Sequence, residues 1–253
     1  MKRNLCVLIT VMLVLMVFLP VSVFSETYRL GGTDMSIDLD DSLWYVFTRD
    51  NIENNAELEE LGISYDSIYD VLYNNEAYMD AVLFYIDGDY IQLFVRKRAI
   101  EDGIVNLSNY SDEEVLEFAE ERAKSQKAEA YSVYKSQYKF AKVEYIDANL
   151  GYYVCEFVTF VNKDIYVMTF QAPSPFDDSE YEEIERMIDS IQFDVDTSLK
   201  EPKREALWQR VLTGTIRGAV IGGITGAVIA IVNKNKKNKN KQDSQADDTV
   251  EAE

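Results

Sequence analysis

An α+β domain is the fold class the amino-acid sequence predicts, and three observations predict it. Short runs of alternating apolar and polar residues, the period that sets one face of a strand against a core, recur between residues 26 and 172. Two of these runs meet across Asp87-Gly88-Asp89, whose Asp-Gly pair readily supplies the positive φ angles of a tight hairpin. Between the strand groups lie stretches opened by serine with apolar residues at helical spacing. Strands joined mainly by hairpins and interrupted by helices predict one antiparallel sheet with helices packed on its faces. A single C-terminal transmembrane helix completes the expected architecture.

At the N-terminus Lys2 and Arg3 precede the apolar stretch from Leu5 to Phe18, then Pro20, with Val23 and Ser25 where a signal peptidase reads small residues. Residues 1–25 are therefore expected to be a signal peptide cleaved after Ser25, with an uncleaved signal anchor as the alternative. Cys6 lies too early to be the modified cysteine of a lipoprotein.

The domain is expected over residues 26–199. Its first strands are Thr27 to Leu30 and Met35 to Leu39, the second with Met35, Ile37 and Leu39 on one face. Leu43 to Thr48 follows, carrying Trp44 and Phe47. Short helices are expected near Asn55 to Leu61 and, capped by Ser64, over Tyr65 to Tyr73, where Ile68, Leu72 and Tyr65 line an apolar stripe. The hairpin joins Asp80 to Ile86 with Tyr90 to Lys97. Ser111, with Glu114 three residues on, forms a capping box for a helix reaching about Lys127, with Val115, Phe118, Ala119 and the stem of Arg122 facing inward. Strands are then expected around Ala130 to Tyr134, Tyr138 to Ile146, Tyr152 to Val161 and Ile165 to Gln171, the last two pairing across Asn162-Lys163-Asp164. A helix beginning at Ser179 carries Tyr181, Ile184, Met187, Ile188 and Ile191 on one face, and Phe193 ends the domain.

Residues 200–210 read as a juxtamembrane linker with Trp208 at the interface. Residues 211–232 follow, 22 residues that would span about 33 Å as a helix against a hydrocarbon core of about 30 Å. Arg217 must then snorkel to the outer interface. Gly214, Gly218, Gly222 and Gly226 recur every four residues and fall on one helical face, so a second helix can approach closely. This spacing resembles the glycine zippers of bacterial envelope proteins and implies self-association, although glycines in a plain anchor read the same way. Lysines from Lys234 to Lys241 begin the tail, residues 233–253, which is expected to be disordered and cytoplasmic because an exported domain precedes the stop-transfer helix.

Charge and composition exclude several classes. Between Glu26 and Leu199 there are 38 acidic and 13 basic residues, a net charge of about −25, which repels nucleic-acid backbones and anionic lipids. Nucleic acid is thus not an expected partner. The chain has no histidine, which removes Ser-His-Asp and Cys-His catalysis and His-ligated zinc. Cys155 lies in an apolar run and is expected to be a buried core thiol. Asp38, Asp40 and Asp41, and Asp87 with Asp89, offer oxygen ligands for calcium, but neither stretch has the spacing of an EF-hand, and solvated turns are the expectation. No dinucleotide, phosphate-loop or kinase motif occurs, so no cofactor or metal is expected. Asn106 and Asn109 open glycosylation sequons. Tyrosines recur from Tyr65 to Tyr153, with an apolar body and polar tip that suit a sugar or peptide groove, though most fall in strands.

The strand with Trp44 after an acidic turn, the strand pair ending Tyr166-Val-Met-Thr-Phe-Gln-Ala-Pro173, and the closing helix from Tyr181 to Phe193 resemble the PsbP and Mog1-like domains of Firmicute envelope proteins. The likeness spans about residues 30 to 196. It implies a fold and a tendency to bind partners, and it transfers no catalytic residue. The leading expectation is a non-catalytic, membrane-anchored binding or scaffold module of the cell envelope, with the membrane, a second copy and an unidentified envelope ligand or protein as partners. A membrane-active or pore-forming protein built on the glycine helix is the first alternative. A carboxylate-dependent hydrolase is the second, with no acid pair nominated.

Overall fold

A computed structural model describes residues 25–85, 89–99 and 106–195. The expected leader apart from Ser25, the hairpin tip at 86–88, the linker, the membrane helix with Gly214, Gly218, Gly222 and Gly226, and the tail lie outside the described residues. Among the described residues no helix is long and apolar enough to cross a membrane.

The protein is α+β, built on a large antiparallel sheet. Strands β3 (Trp44–Thr48), β4 (Ala77–Phe84) and β5 (Tyr90–Ala99) form a meander; β6 (Ala130–Lys135), β7 (Lys139–Ile146), β8 (Tyr153–Val161) and β9 (Asp164–Ala172) form another. The order is β3-β4-β5-β9-β8-β7-β6, every pair antiparallel. Short hairpins join β4 to β5, β6 to β7, β7 to β8 and β8 to β9, whereas residues 49–76, with short helices, lie between β3 and β4. The connection from β5 carries the chain to the far edge so that β9 returns to pair with β5. Asn162, with φ of 56°, closes the tight β8–β9 turn in the left-handed conformation asparagine tolerates.

The expectation of one sheet needs correction. β1 (Glu26–Arg29), β2 (Met35–Leu39) and the two-residue β10 (Gln192–Phe193) form a second, three-stranded sheet in the order β1-β2-β10. The alternation of β2 explains it: Met35, Ile37 and Leu39 are all buried on one face. The hairpin lays that face against the large sheet instead of extending its edge, and Phe193 then pairs with Met35.

Helix α1 (Ala56–Leu61) and helix α2 (Tyr65–Tyr69) are capped by the side chains of Asn55 and Ser64, which accept from backbone N–H groups of the first turn. Tyr65 to Tyr73 is not one α-helix, because α2 runs into a π-helical turn over Asp70–Asn74. Helix α3 (Asp112–Gln126) has the capping box of Ser111 with Glu114. Helix α4 (Asp178–Ser190) begins one residue earlier than the expected Ser179; Asp177 caps it, and Glu180 completes a second capping box.

The core has two sides. Trp44, Met79, Leu93, Phe157, Met168 and Phe170 of the large sheet pack with β2 and with Ile184, Met187 and Ile188 of α4. On the opposite face Phe47 and Phe94 pack with Leu58, Ile68, Val71 and Leu72 of α1, α2 and the π-helical turn. Phe118 of α3 meets Phe160 edge to face with ring centroids 5.0 Å apart. Trp44 donates its indole N–H to Glu183 Oε1 at 3.1 Å, tying an edge strand to α4.

Candidate binding surface

The sheet face that carries α1, α2 and α3 also carries the buried polar groups. Cross-strand register sets Phe47, Asp80, Phe94, Thr169, Glu156 and Val143 in one row and Tyr45, Val82, Gln92, Gln171, Val154 and Tyr145 in the next. Apolar residues end each row, and the polar residues lie between them, interrupted in the first row by Phe94. Gln92 Nε2 donates to Asp80 Oδ1 at 2.8 Å, and Gln171 Nε2 donates to Gln92 Oε1 at 3.0 Å. Burial pushes the Asp80 carboxyl up to about 7, against the opposing pull of the Gln92 hydrogen bond and the charge of Arg96. Arg122 of α3 clamps Glu156 through Nε at 2.7 Å and Nη2 at 2.8 Å, with both side chains only 2% exposed. Asp80, Gln92 and Gln171 link three strands, the Gln171 Oε1 being left without a hydrogen-bond partner among the described residues, and Arg122 with Glu156 stitches α3 to β8.

The other reactive candidates are also occupied structurally. Cys155 is buried, and burial raises its thiol pKa despite Lys142 nearby, so it is held protonated. Asp40 Oδ1 accepts from the N–H and hydroxyl of Ser42, and Asp38 Oδ1 accepts from Thr27 at 2.6 Å, so the acidic stretch closes a turn and a strand pair. Asp89 accepts from Ser174, and Asp87 lies outside the described residues. Among the described residues no three His, Cys, Asp or Glu side chains are grouped to hold a metal ion. Asn106 is buried, and its carboxamide oxygen accepts from the Asn162 N–H at 2.9 Å, so that sequon is shut inside the fold.

Several tyrosines are tied into the fold, Tyr131 is exposed on β6, and three more are displayed together. Tyr90 and Tyr152 share a hydrogen bond between hydroxyls at 2.7 Å, and Tyr138 and Tyr166 pack with Phe193. Tyr65, Tyr69 and Tyr73 point outward, each about two-fifths exposed. Their spacing of four residues aligns them along α2 and the π-helical turn, because Ile68, Val71 and Leu72 take the inward face. Tyr69 and Tyr73 stack with centroids 4.5 Å apart and 21° between planes; Tyr65 and Tyr69 are 5.8 Å apart and tilted by 33°. Tyr65 was expected in the apolar stripe and lies on this outer ridge instead.

The far end of the ridge is capped by Arg49. Its Nε donates to Leu72 O at 2.9 Å and Ala77 O at 3.0 Å, satisfying carbonyls where the π-helical turn ends. That geometry sets the guanidinium 5.2 Å from the Tyr73 ring centroid and 4.0 Å from that of Tyr78. At the near end the phenol of Tyr65 has its pKa raised by desolvation and then by the negative charge of Glu53, with Asp66 adding to it. The chain therefore displays an aromatic ridge, cationic at one end and bordered by acids at the other.

No known protein family matches this chain, and no curated protein matches it. Among solved structures, a crystal structure of a protein from Bacteroides thetaiotaomicron VPI-5482 is similar at 12% identity with a TM-score of 0.33, covering 68% of this chain and 50% of that one. The chain thus spans about half the length of that structure.

Proposed function

We propose that this chain is an exported, membrane-tethered binding or scaffold module of the cell envelope that acts without catalysis and self-associates through Gly214, Gly218, Gly222 and Gly226. The observation that carries the binding half is the contrast between sequestered and displayed chemistry. Asp80, Glu156, Arg122 and Cys155 are buried in the interior, while Tyr65, Tyr69 and Tyr73 stand on the surface as a stacked aromatic ridge. Aromatic residues with a polar tip supply contact area at low entropic cost, which suits recognition. The resemblance to PsbP and Mog1-like domains belongs to this reading as a guide toward partner binding.

The tethering half rests on the sequence of the two ends. It is compatible with the domain's connections: β1 and β10 flank β2, so both ends of the domain leave from one small sheet. Fifteen residues, 196–210, separate Val195 from the expected membrane helix and reach at most about 50 Å when extended. Fractionation tests the tether. The full chain is expected in the membrane pellet and resistant to alkaline carbonate, and a chain ended after Leu199 is expected outside the cell in soluble form. Recovery of both forms in the cytoplasmic fraction would refute export, and carbonate release of the full chain would refute the anchor.

A further inference from the structure

We propose that the ridge of Tyr65, Tyr69 and Tyr73 is the docking site for an arginine- or lysine-bearing segment of a partner protein, seated against the Tyr65 end beside Glu53 and Asp66. This rests on the binding-module reading and names its partner class.

Three observations lead to a cationic occupant. The stack uses its own ring faces internally, since Tyr69 lies between Tyr65 and Tyr73. A sugar, which needs an open ring face as a platform, therefore meets mostly edges and hydroxyls. At the Tyr73 end the fold already places a cation against the stack, with the Arg49 guanidinium 5.2 Å from the ring centroid. The fold itself thus seats a guanidinium at one end of the ridge, which shows what the other end can hold.

Charge supports the same occupant. From Asp50 to Val95 the chain contains no lysine or arginine and 11 acidic residues. Glu53 and Asp66 lie near enough to act on the Tyr65 phenol, Asp70 is on the π-helical turn of the ridge, and Glu59 and Glu60 are on the preceding helix. All five are exposed, and none forms an ion pair with a lysine or arginine among the described residues. Carboxylates without a cationic partner beside a ring stack steer a cation inward and offer it both a π face and counter-charge. The two features are independent, because the stack follows from helical spacing and the acids from local composition. A second copy of this chain is disfavoured as the occupant, since it would present the same negative surface.

The test uses the full chain in detergent micelles and a fluorescein-labelled peptide of alternating arginine and glycine, read by anisotropy. The unaltered chain is expected to bind the peptide and to release it as salt is raised to about 0.5 M. The double variant Tyr65→Ser/Tyr69→Ser is expected to bind roughly tenfold more weakly. Tyr131→Ser, an equally exposed tyrosine on the opposite edge strand, is expected to bind as the unaltered chain does. Circular dichroism melts confirm that each variant is folded, and Glu53→Gln/Asp66→Asn gives a second variant that leaves the rings in place and is expected to weaken binding too. Undiminished binding by the double tyrosine variant, equal loss in Tyr131→Ser, or no peptide binding at all would overturn the proposal. An exported, tethered chain whose ridge ignores the peptide would lose this inference and keep the binding-module reading; a cytoplasmic chain that binds the peptide would lose the reading and keep the ridge.

Discussion

Arg122 and Glu156 lie 34 residues apart and form a two-pronged ion pair, at 2.7 and 2.8 Å, that is sealed between α3 and β8. Breaking such a pair strands a charge in the interior. Glu156→Ala is expected to destabilise the domain by about 3–5 kcal/mol, while the paired replacement Arg122→Met/Glu156→Leu should recover most of that loss. Urea unfolding in mild detergent checks both, and a cost under about 1 kcal/mol for the single change would mean the pair is not desolvated as described.

Asp80 gives a pH dependence with a defined sign. Its folded pKa, about 7, lies above the ordinary carboxyl value of 3.8, so between those values the folded state holds a proton that the unfolded state has lost. This contribution to stability is full below about pH 4 and is lost as pH rises through about 7, an effect on the order of 4 kcal/mol as an upper bound. Asp80→Asn keeps an oxygen for Gln92 and cannot ionise. It is expected to flatten the melting temperature against pH across that window and to exceed the unaltered chain above pH 7. A variant with an undiminished slope would assign the pH dependence to other groups.

Cys155 is expected to be inert in the folded protein. With Cys6 replaced by serine, a maleimide should fail to label the native chain at pH 8 and should label it fully in denaturant, since burial keeps the thiol protonated and out of reach. Rapid native labelling would show that the β8 core opens.

The caps offer a smaller, local test. Ser111→Ala removes the acceptor for the Glu114 N–H and half of the capping box of α3, and is expected to cost about 1 kcal/mol of stability. An unshifted melt would indicate that water replaces the cap without loss.

Local signals in the sequence carried most of the α+β domain and little of its chemistry. The capping box at Ser111, the alternation in β2 and the turn at Asn162-Lys163-Asp164 are short-range patterns, and each appears in the fold where the chain predicts it. β10 was missed because two residues have no period to read, and its pairing with Ser36 and Met35 spans more than 150 residues of chain. Arg122 was legible as an inward residue, but its partner was not, because Glu156 is one of 38 acids in the domain and only the β7-β8-β9 register brings it under α3. Asp80, Gln92 and Gln171 likewise become a chain of hydrogen bonds only across three strands. The four-residue spacing of Tyr65, Tyr69 and Tyr73 was visible; that it faces solvent depends on Ile68, Val71 and Leu72 claiming the core.

Protease accessibility on intact cells tests the central claim most directly, with one epitope inserted between Glu101 and Val105 and another at the C-terminus. A domain exposed outside and tethered by one membrane helix predicts that external protease removes the first epitope and spares the second until the membrane is permeabilised. Survival of both epitopes on cells whose other surface proteins are shaved would contradict the account and put the domain on the inner side of the membrane.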